Sequence, residues 1–350
     1  MTASIPHELR TTQEPRQNTF YNVSLSSITQ ANSAVRLLRL AIIGPSPAGS
    51  HKNREQQNNE CESNPDKSRP FNFFPGQWLD VHVPSVPQAG GFTITSTPSD
   101  ALPLGGDGDN NPAIKEPYVE LAVQESPSNP PAAWLWRPQD EILGQELVVR
   151  VGGSFIWPPP DIPLDDIERV VFVAGGVGIN PLISMLSYIF KNPSTLPHSP
   201  AIHLLYSTKC PTTLRHGEDI SKHLDQILFF PRLRGILDSQ QQKQQGDMHE
   251  GGHQILRLHL HLYITNLHEI SPNPPSNFAL HNRRISMLDL HEVIGGKREA
   301  VRDWGSSNGG RTVCYLCGPP DMTDKFVAGV EKVLGAGVGR DKSVFCEKWW

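Results

Sequence analysis

The sequence predicts a two-domain β + α/β protein: an N-terminal antiparallel β-barrel followed by a C-terminal parallel-sheet domain. Three observations carry that expectation. Over roughly the first 155 residues, short segments of alternating apolar residues are separated by turn residues, the pattern of a barrel or sandwich. Trp157-Pro158-Pro159-Pro160 then reads as a rigid linker. Beyond it, β-branched runs alternate with helical stretches, which implies a parallel sheet with helices on both faces. The domains are placed at residues 18–157 and 168–350.

In order along the chain, Thr19–Ile43 alternates and reads as strands. A polar stretch near 47–70, rich in Asn, Gln, Ser and Glu, reads as a solvated insertion. Phe71–Val83 resumes strand character after the Pro75-Gly76 turn, and Phe92–Ser96 is a further short strand. A second loose insertion is expected near 99–117, where Gly105, Gly106 and Gly108 stand among Asp and Asn. Tyr118–Val123 and Leu147–Val151 are strands, with a helical turn at Ala132–Trp136. In the second domain, strands are expected at Val170–Ala174, Ala201–Ser207, Leu256–Thr265 and Thr312–Cys317. Helices are expected at Leu182–Phe190, Glu218–Leu228, Ser286–Ile294 and Met322–Leu334. Loops are expected near 235–254, around the Gln240–Gln245 run, and near 271–282.

A chain of 350 residues buries a core without staples. Gly and Pro, 29 and 32, make up about a sixth of it, which fits a loop-rich globular protein and excludes collagen and coiled coil. A net charge of −5 gives no electrostatic case for nucleic acid or an anionic membrane. Five cysteines, an odd and sparse set, do not make a disulfide framework and suit a reducing setting. Val170–Phe190 is uncharged and close to bilayer-spanning length, but its glycines break it into a strand, a turn and a Pro-started helix, so no integral membrane protein is expected. The N-terminus lacks the apolar core of a secretory signal. Arg10 and Arg16 among Ser and Thr leave a short mitochondrial leader open, with Glu8 and Glu14 counting against it.

Four clusters could carry chemistry. In Ala174-Gly175-Gly176-Val177-Gly178-Ile179-Asn180-Pro181, a buried strand runs through glycines into a helix N-terminus. Free N–H groups and the positive helix end there suit a pyrophosphate, although the spacing is not GxGxxG and a tight structural turn is the alternative. Cys314-Tyr315-Leu316-Cys317-Gly318-Pro319-Pro320 ends a second strand in glycine, and strand carboxyl ends are where such sheets bind ligands. Its CxxC has no second pair at zinc spacing, and residues three apart on a strand face opposite ways, which disfavours a redox pair. Phe92-Thr93-Ile94-Thr95-Ser96-Thr97 is, by its residues alone, a hydroxyl-rich strand. The ending Glu347-Lys348-Trp349-Trp350 carries too much apolar area to stay wet; it docks on protein or on a planar ligand. His259 and His261 share one strand face and are expected to be an exposed polar face. No GxSxG, HExxH or Walker A sequence supports the corresponding hydrolase classes.

Taken in order, Pro75-Gly76-Gln77-Trp78, Gly90-Gly91-Phe92-Thr93, Gly175–Pro181, Leu205–Lys209, Cys317-Gly318-Pro319-Pro320 and Glu347–Trp350 resemble the ferredoxin–NADP reductase family, over roughly residues 18–350. The resemblance implies a flavin-binding barrel, a nucleotide-binding α/β domain and hydride transfer between NAD(P)H and FAD or FMN. An acceptor of the electrons is implied but not named by any residue. In the family's Arg-x-Tyr-Ser/Thr flavin motif the arginine binds phosphate, the tyrosine packs on the ring and the hydroxyl lies near N5. Here those positions read Gly90, Phe92 and Thr93, so a phosphate contact is lost, with Arg137 or Arg150 as candidate replacements. Ile94, Thr95, Gly152 and Gly153 are implied to lie along the flavin. Gly175, Gly176, Val177, Gly178, Asn180 and Pro181 match the pyrophosphate turn. Cys317, Gly318 and Pro319 match the nicotinamide segment, and Glu347 and Trp350 the tail beside the reacting rings. Thr93, Cys317 and Glu347 are thus the implied catalytic residues. Ser207 and Lys209 follow the strand that reads the adenosine ribose; no acid stands there, so NADPH is tolerated beside NADH. No CxxxxCxxC iron–sulfur pattern is present. The resemblance implies a mitochondrial location, with the cytoplasm as alternative. A protein that binds dinucleotide without turnover, as sensor or assembly partner, is the rival expectation, and Gly90 favours it.

Overall fold

The computed structural model describes residues 6–46, 70–103, 116–212, 220, 223–246, 256–267, 277–295, 310–334 and 343–348. The chain divides into two units, Met1–Trp157 and Pro158–Trp350.

The first unit holds α1 (His7–Arg10), β1 (Tyr21–Asn32), β2 (Val35–Pro45), β3 (Trp78–His82), β4 (Gly90–Thr93), β5 (Tyr118–Gln124), α2 (Pro130–Leu135), α3 (Gln139–Ile142) and β6 (Glu146–Gly152). Its strands form one antiparallel sheet in the order β4-β3-β6-β1-β2-β5. The sheet closes on itself. Past the end of β4, Ile94 bridges Leu121 of β5, and the Thr95 N–H donates to the Glu120 carbonyl at 2.8 Å. Alternation sends Leu25, Leu38, Leu40, Leu79, Leu121 and Val149 inward, all fully buried. The β1–β2 hairpin turns at Asn32, whose side chain accepts the Ala34 N–H.

The second unit holds β7 (Ile167–Gly175), α4 (Ile179–Lys191), β8 (Ala201–Thr208), α5 (Phe230–Gly246), β9 (Arg257–Ile264), β10 (Ala279–His281), α6 (Met287–Gly295), β11 (Arg311–Gly318), α7 (Pro320–Leu334) and β12 (Val344–Lys348). All its strands are parallel, in the order β10-β9-β8-β7-β11-β12. The order reverses beside β7, between β8 on one side and β11 on the other. That is the topological switch point at which open α/β sheets bind ligands.

Several expectations need correction. Helix α5 starts at Phe230 and runs through the Gln240–Gln245 stretch, within the region read as a loop near 235–254. Phe230, Leu233 and Leu237 are buried at helical spacing, and Gln, Lys and Arg are good helix formers. Where a helix was expected at Glu218–Leu228, the described part is a 3₁₀ turn at Leu224–Gln226. The loop near 271–282 contains the edge strand β10, and the one near 99–117 begins with a capped 3₁₀ turn at Pro98–Ala101. Ahead of the two terminal tryptophans, Val344–Lys348 forms a strand not expected from the sequence and pairs along β11. Helix α4 opens before Pro181, at Ile179, after a 3₁₀ turn at Gly176–Gly178. The polar insertion at 47–69, most of the one after 103, Glu218, Trp349 and Trp350 lie outside the described residues.

On one face of the second sheet, histidines of neighbouring strands stack. His203 lies 4.8 Å from His259 and 6.2 Å from His261, and His261 lies 6.2 Å from His281. The face is open as expected, with His259 exposed and His261 half-buried, and on it the rings form a ladder. Among the described residues, no group of three or more His, Cys, Asp or Glu could hold a metal ion, and no helix is long and apolar enough to cross a membrane.

Candidate functional site

At the switch point the structure brings together residues that are far apart in sequence. Register places Gly175 of β7 beside Ser207 of β8, Ala174 beside Cys317 of β11, and Cys317 beside Glu347 of β12. Four neighbouring strands thus end in one row, about 14 Å wide at ~4.8 Å per strand. Ser207, Val177 and Glu347 are half-buried in it, and Gly176, Lys209 and Pro319 are exposed.

Each glycine of the turn has its own reason. Gly176 has φ +55°, a left-handed backbone, and a Cβ there would meet nothing. Gly178 has an ordinary φ, but its Cβ would overlap the carbonyl of Cys317. The turn is thereby seated directly on the end of β11. Gly175 and Gly318 approach each other so closely that a Cβ on Gly318 would lie 3.2 Å from the Gly175 backbone. No side chain caps the N-terminus of α4. An uncapped helix end behind an open glycine turn fits a pyrophosphate. Asn180 and Pro181 are buried in the first turn of α4.

Three residues of this site escaped the sequence reading. The Met322 thioether fills the space above both Gly175 and Gly318. The Thr323 hydroxyl donates to the Gly318 carbonyl at 3.2 Å, fixing the strand end. Asn266, just past β9, accepts the Cys210 N–H and donates to the Cys210 carbonyl, which pins the segment after β8 behind Ser207 and Lys209. Such side-chain clamps leave no periodic trace in the sequence.

In the barrel, the hydroxyl-rich segment separates into distinct roles. Thr95 donates to the Glu120 carboxylate at 2.9 Å, Ser96 accepts the Glu120 N–H, and Thr97 donates to Asp100. Thr93 is 1% exposed and its hydroxyl meets no partner. A buried hydroxyl without a partner is costly, so a ligand atom would complete it. Ile94 is in the core. Phe92 also faces inward: a Cβ on Gly90 would come within 2.5 Å of the Phe92 ring and 2.7 Å of Pro131. The position matching the family's arginine is therefore filled by the neighbouring phenyl ring. Above Gly152 and Gly153 lies the indole of Trp78.

The outer face around Trp78 is covered by the N-terminal segment, which the reading had placed outside the domain. Arg16 bridges Gly152 and stacks on Trp78, and His7 meets the indole edge-on. Both reach the fully buried Asp80. Arg16 Nε lies 2.9 Å from Oδ2, Arg150 Nη2 2.7 Å from Oδ2, and His7 Nε2 3.3 Å from Oδ1. Burial would raise the Asp80 carboxyl, but contacts from His7, Arg150 and Arg16 outweigh it and hold it well below the usual range. Glu14 accepts from the Ser154 N–H at 3.0 Å and hydroxyl at 2.6 Å. Arg150 is thus committed to Asp80, and Arg137 pairs with Glu141 at 2.8 Å on the surface.

Thr93 thus offers a donor to a flavin ring, while Gly90 stands at the position of the family's arginine.

No family model matches the chain. A bovine protein (Bos taurus), "Oxidoreductase NAD-binding domain-containing protein 1", is 30% identical over 287 residues, which cover 80% of this chain and 72% of that protein. This chain belongs to that family. The zebrafish member (Danio rerio) is 26% identical over 348 residues, 98% of this chain and 97% of its own. Among solved structures, a ferredoxin NADP+ reductase from Neisseria gonorrhoeae with bound FAD and NADP superposes with a TM-score of 0.55 at 12% identity, over 94% of this chain and 98% of that one. The fold of the family is accordingly that of the ferredoxin–NADP reductases, a barrel and a parallel α/β unit.

Proposed function

We propose that the protein is an NAD(P)H-dependent flavin oxidoreductase. The observation that carries the reading is the switch point, where an uncapped helix end and an open glycine turn sit against the Cys317-Gly318 strand end. The bound nicotinamide and flavin supply the hydride chemistry. The chain's own residues bind and orient. Gly176, Val177 and Gly178 offer backbone N–H groups to the pyrophosphate. Ser207 and Lys209 take the adenosine side, where the lysine charge suits a 2′-phosphate and favours NADPH. Cys317 and Glu347 border the nicotinamide, and Thr93 donates to the flavin ring near N5.

A second reading, a dinucleotide-binding protein without turnover, is favoured by the filled arginine position at Gly90. Visible spectra of the protein with added flavin, before and after NADPH or NADH without oxygen, separate the two. Bleaching of the flavin band supports the oxidoreductase. Dinucleotide binding without bleaching supports the second reading, and binding of neither refutes both.

A further inference from the structure

We infer that the phosphate of a flavin bound to this barrel is held by Arg10, a cation supplied by the N-terminal segment where Gly90 replaces the family's arginine. The inference deepens the proposed function and rests on its flavin reading. It starts from the face of the sheet on which Thr93 lies. Thr93 is buried with no partner for its hydroxyl, while the next three hydroxyls are all engaged. Gly91, two residues away on β4, shares its face, opposite to the core-facing Phe92 and Gly90. On β3 the same face carries Trp78, paired with Thr93, and Asp80, paired with Gly91.

Helix α1 packs on this face of β4. A Cβ on Gly91 would overlap the His7 imidazole, so that ring lies on the strand itself. Thr93 is only about 7 Å further on, two residues at ~3.4 Å each. A flavin whose ring meets the Thr93 hydroxyl cannot run along β4 past Gly91. Its ribityl tail leaves the strand against α1, and the phosphate at the end of that tail comes to lie beside this helix.

Three arginines belong to this face and to the segment over it. Arg16 and Arg150 are both committed to the buried Asp80, at 2.9 and 2.7 Å. Arg10 is not. Partial burial is the one influence on its guanidinium, which it lowers, and no anion among the described residues acts on it. It remains open to solvent on its other side. Glu8, the acid of the same helix, acts instead on His82, beyond Asp80 at the end of β3 away from Thr93, where its charge opposes the lowering by burial. A guanidinium held partly out of water with no counter-charge is suited to a phosphate, whose charge-assisted hydrogen bonds are the strong ones.

Quenching of flavin fluorescence by the full chain, titrated with riboflavin and FMN, tests the inference. FMN is expected to bind about 10–150-fold more tightly than riboflavin, as one charge-assisted contact provides. Arg10→Gln should abolish that preference by weakening FMN alone, and Arg10→Lys should keep part of it. The melting midpoint should not move, since Arg10 has no partner in the protein. Amide hydrogen exchange at residues 6–17 should slow when FMN is added. Equal binding of the two flavins by the parent chain, an Arg10→Gln chain that keeps the preference or weakens both flavins alike, or loss of the preference in Arg137→Gln instead overturns the inference and leaves the oxidoreductase standing. Faster exchange at residues 6–17 also overturns it, because the flavin would then displace the segment. Quenching by neither flavin overturns the flavin reading and this inference together.

Discussion

Replacing Gly178 by alanine tests the seat of the glycine turn. The backbone at Gly178 has φ −61° and ψ −8°, which alanine adopts freely. Its methyl group, however, would overlap the Cys317 carbonyl, a backbone group that cannot rotate away. Either the turn lifts or the end of β11 moves. Overpacking of this kind costs about 1–3 kcal/mol. At 2–4 °C per kcal/mol for a unit of this size, the midpoint of thermal unfolding should fall by roughly 2–12 °C. The same displacement misaligns the turn's N–H groups, so NADPH or NADH should bind about 5–150-fold more weakly. Gly176→Ala is the control. It pays about 1 kcal/mol for a left-handed alanine but meets no atom within 4 Å, so binding should fall by less than Gly178→Ala costs. Calorimetry and dinucleotide fluorescence titration read both quantities. A Gly178→Ala protein with the parent's midpoint and affinity, or a Gly176→Ala protein that is the worse of the two, would refute the reasoning.

Asp80→Ala should destabilise the first unit by about 3–5 kcal/mol, because it strands Arg16 and Arg150 beside a buried void; chemical denaturation measures this, and a loss under 1 kcal/mol would contradict the network. The histidine ladder predicts acid sensitivity of the second unit. Burial, then His259, His261 and Arg169, pushes His203 down to about 3, and His259, His261 and His281 are also lowered by burial, with Arg257 acting on His259 and Arg283 on His281 and with Asp289 and Glu292 opposing in part at His261 and His281. Since the unfolded chain takes up these protons first, stability is full above pH ~6.5 and falls below it. Melting curves from pH 7.5 to 5 should show the decline, and His203→Gln should flatten it. Thr93→Val should lower flavin reduction about tenfold while leaving the melting midpoint equal or higher, since it removes a buried hydroxyl that no protein group satisfies; a lowered midpoint would mean that the hydroxyl has a structural partner.

Much of the fold was legible because its signals are local. The alternation of Tyr118–Val123, the uncharged run Val170–Ala174 and the glycines after it announce strand, turn and helix within a few residues of one another. The row Ser207, Gly175, Cys317 and Glu347 was legible only through the family resemblance, since register between distant strands is not written in any one of them. Other features rest on long-range or three-dimensional facts. Arg16 finds Asp80 across 64 residues, and nothing in the polar pattern of residues 6–17 shows that it lines a barrel. The inward turn of Phe92 follows from the register: it pairs with Leu79, and Gly90 with Val81, so both share the core-facing parity of β3. Helix α5 was obscured by its glutamines, although Phe230, Leu233 and Leu237 mark its buried stripe.

The N-terminal segment also bears on how the first unit is made. Asp80 is joined to Arg16 across 64 residues and to Arg150 across 70, while Glu14 meets Ser154 across 140. Closing such long loops is slow, and none of these pairings has a local substitute. Residues 15–17 pair with residues 151–153, more than 130 positions later, and β6 is the last described strand of the unit. Without β6, the strand that carries Trp78 and Asp80 would have an unpaired edge, the kind of edge open to wrong pairing. Because β6 lies between β3 and β1, the sheet order of the unit cannot be complete until its last strand has joined.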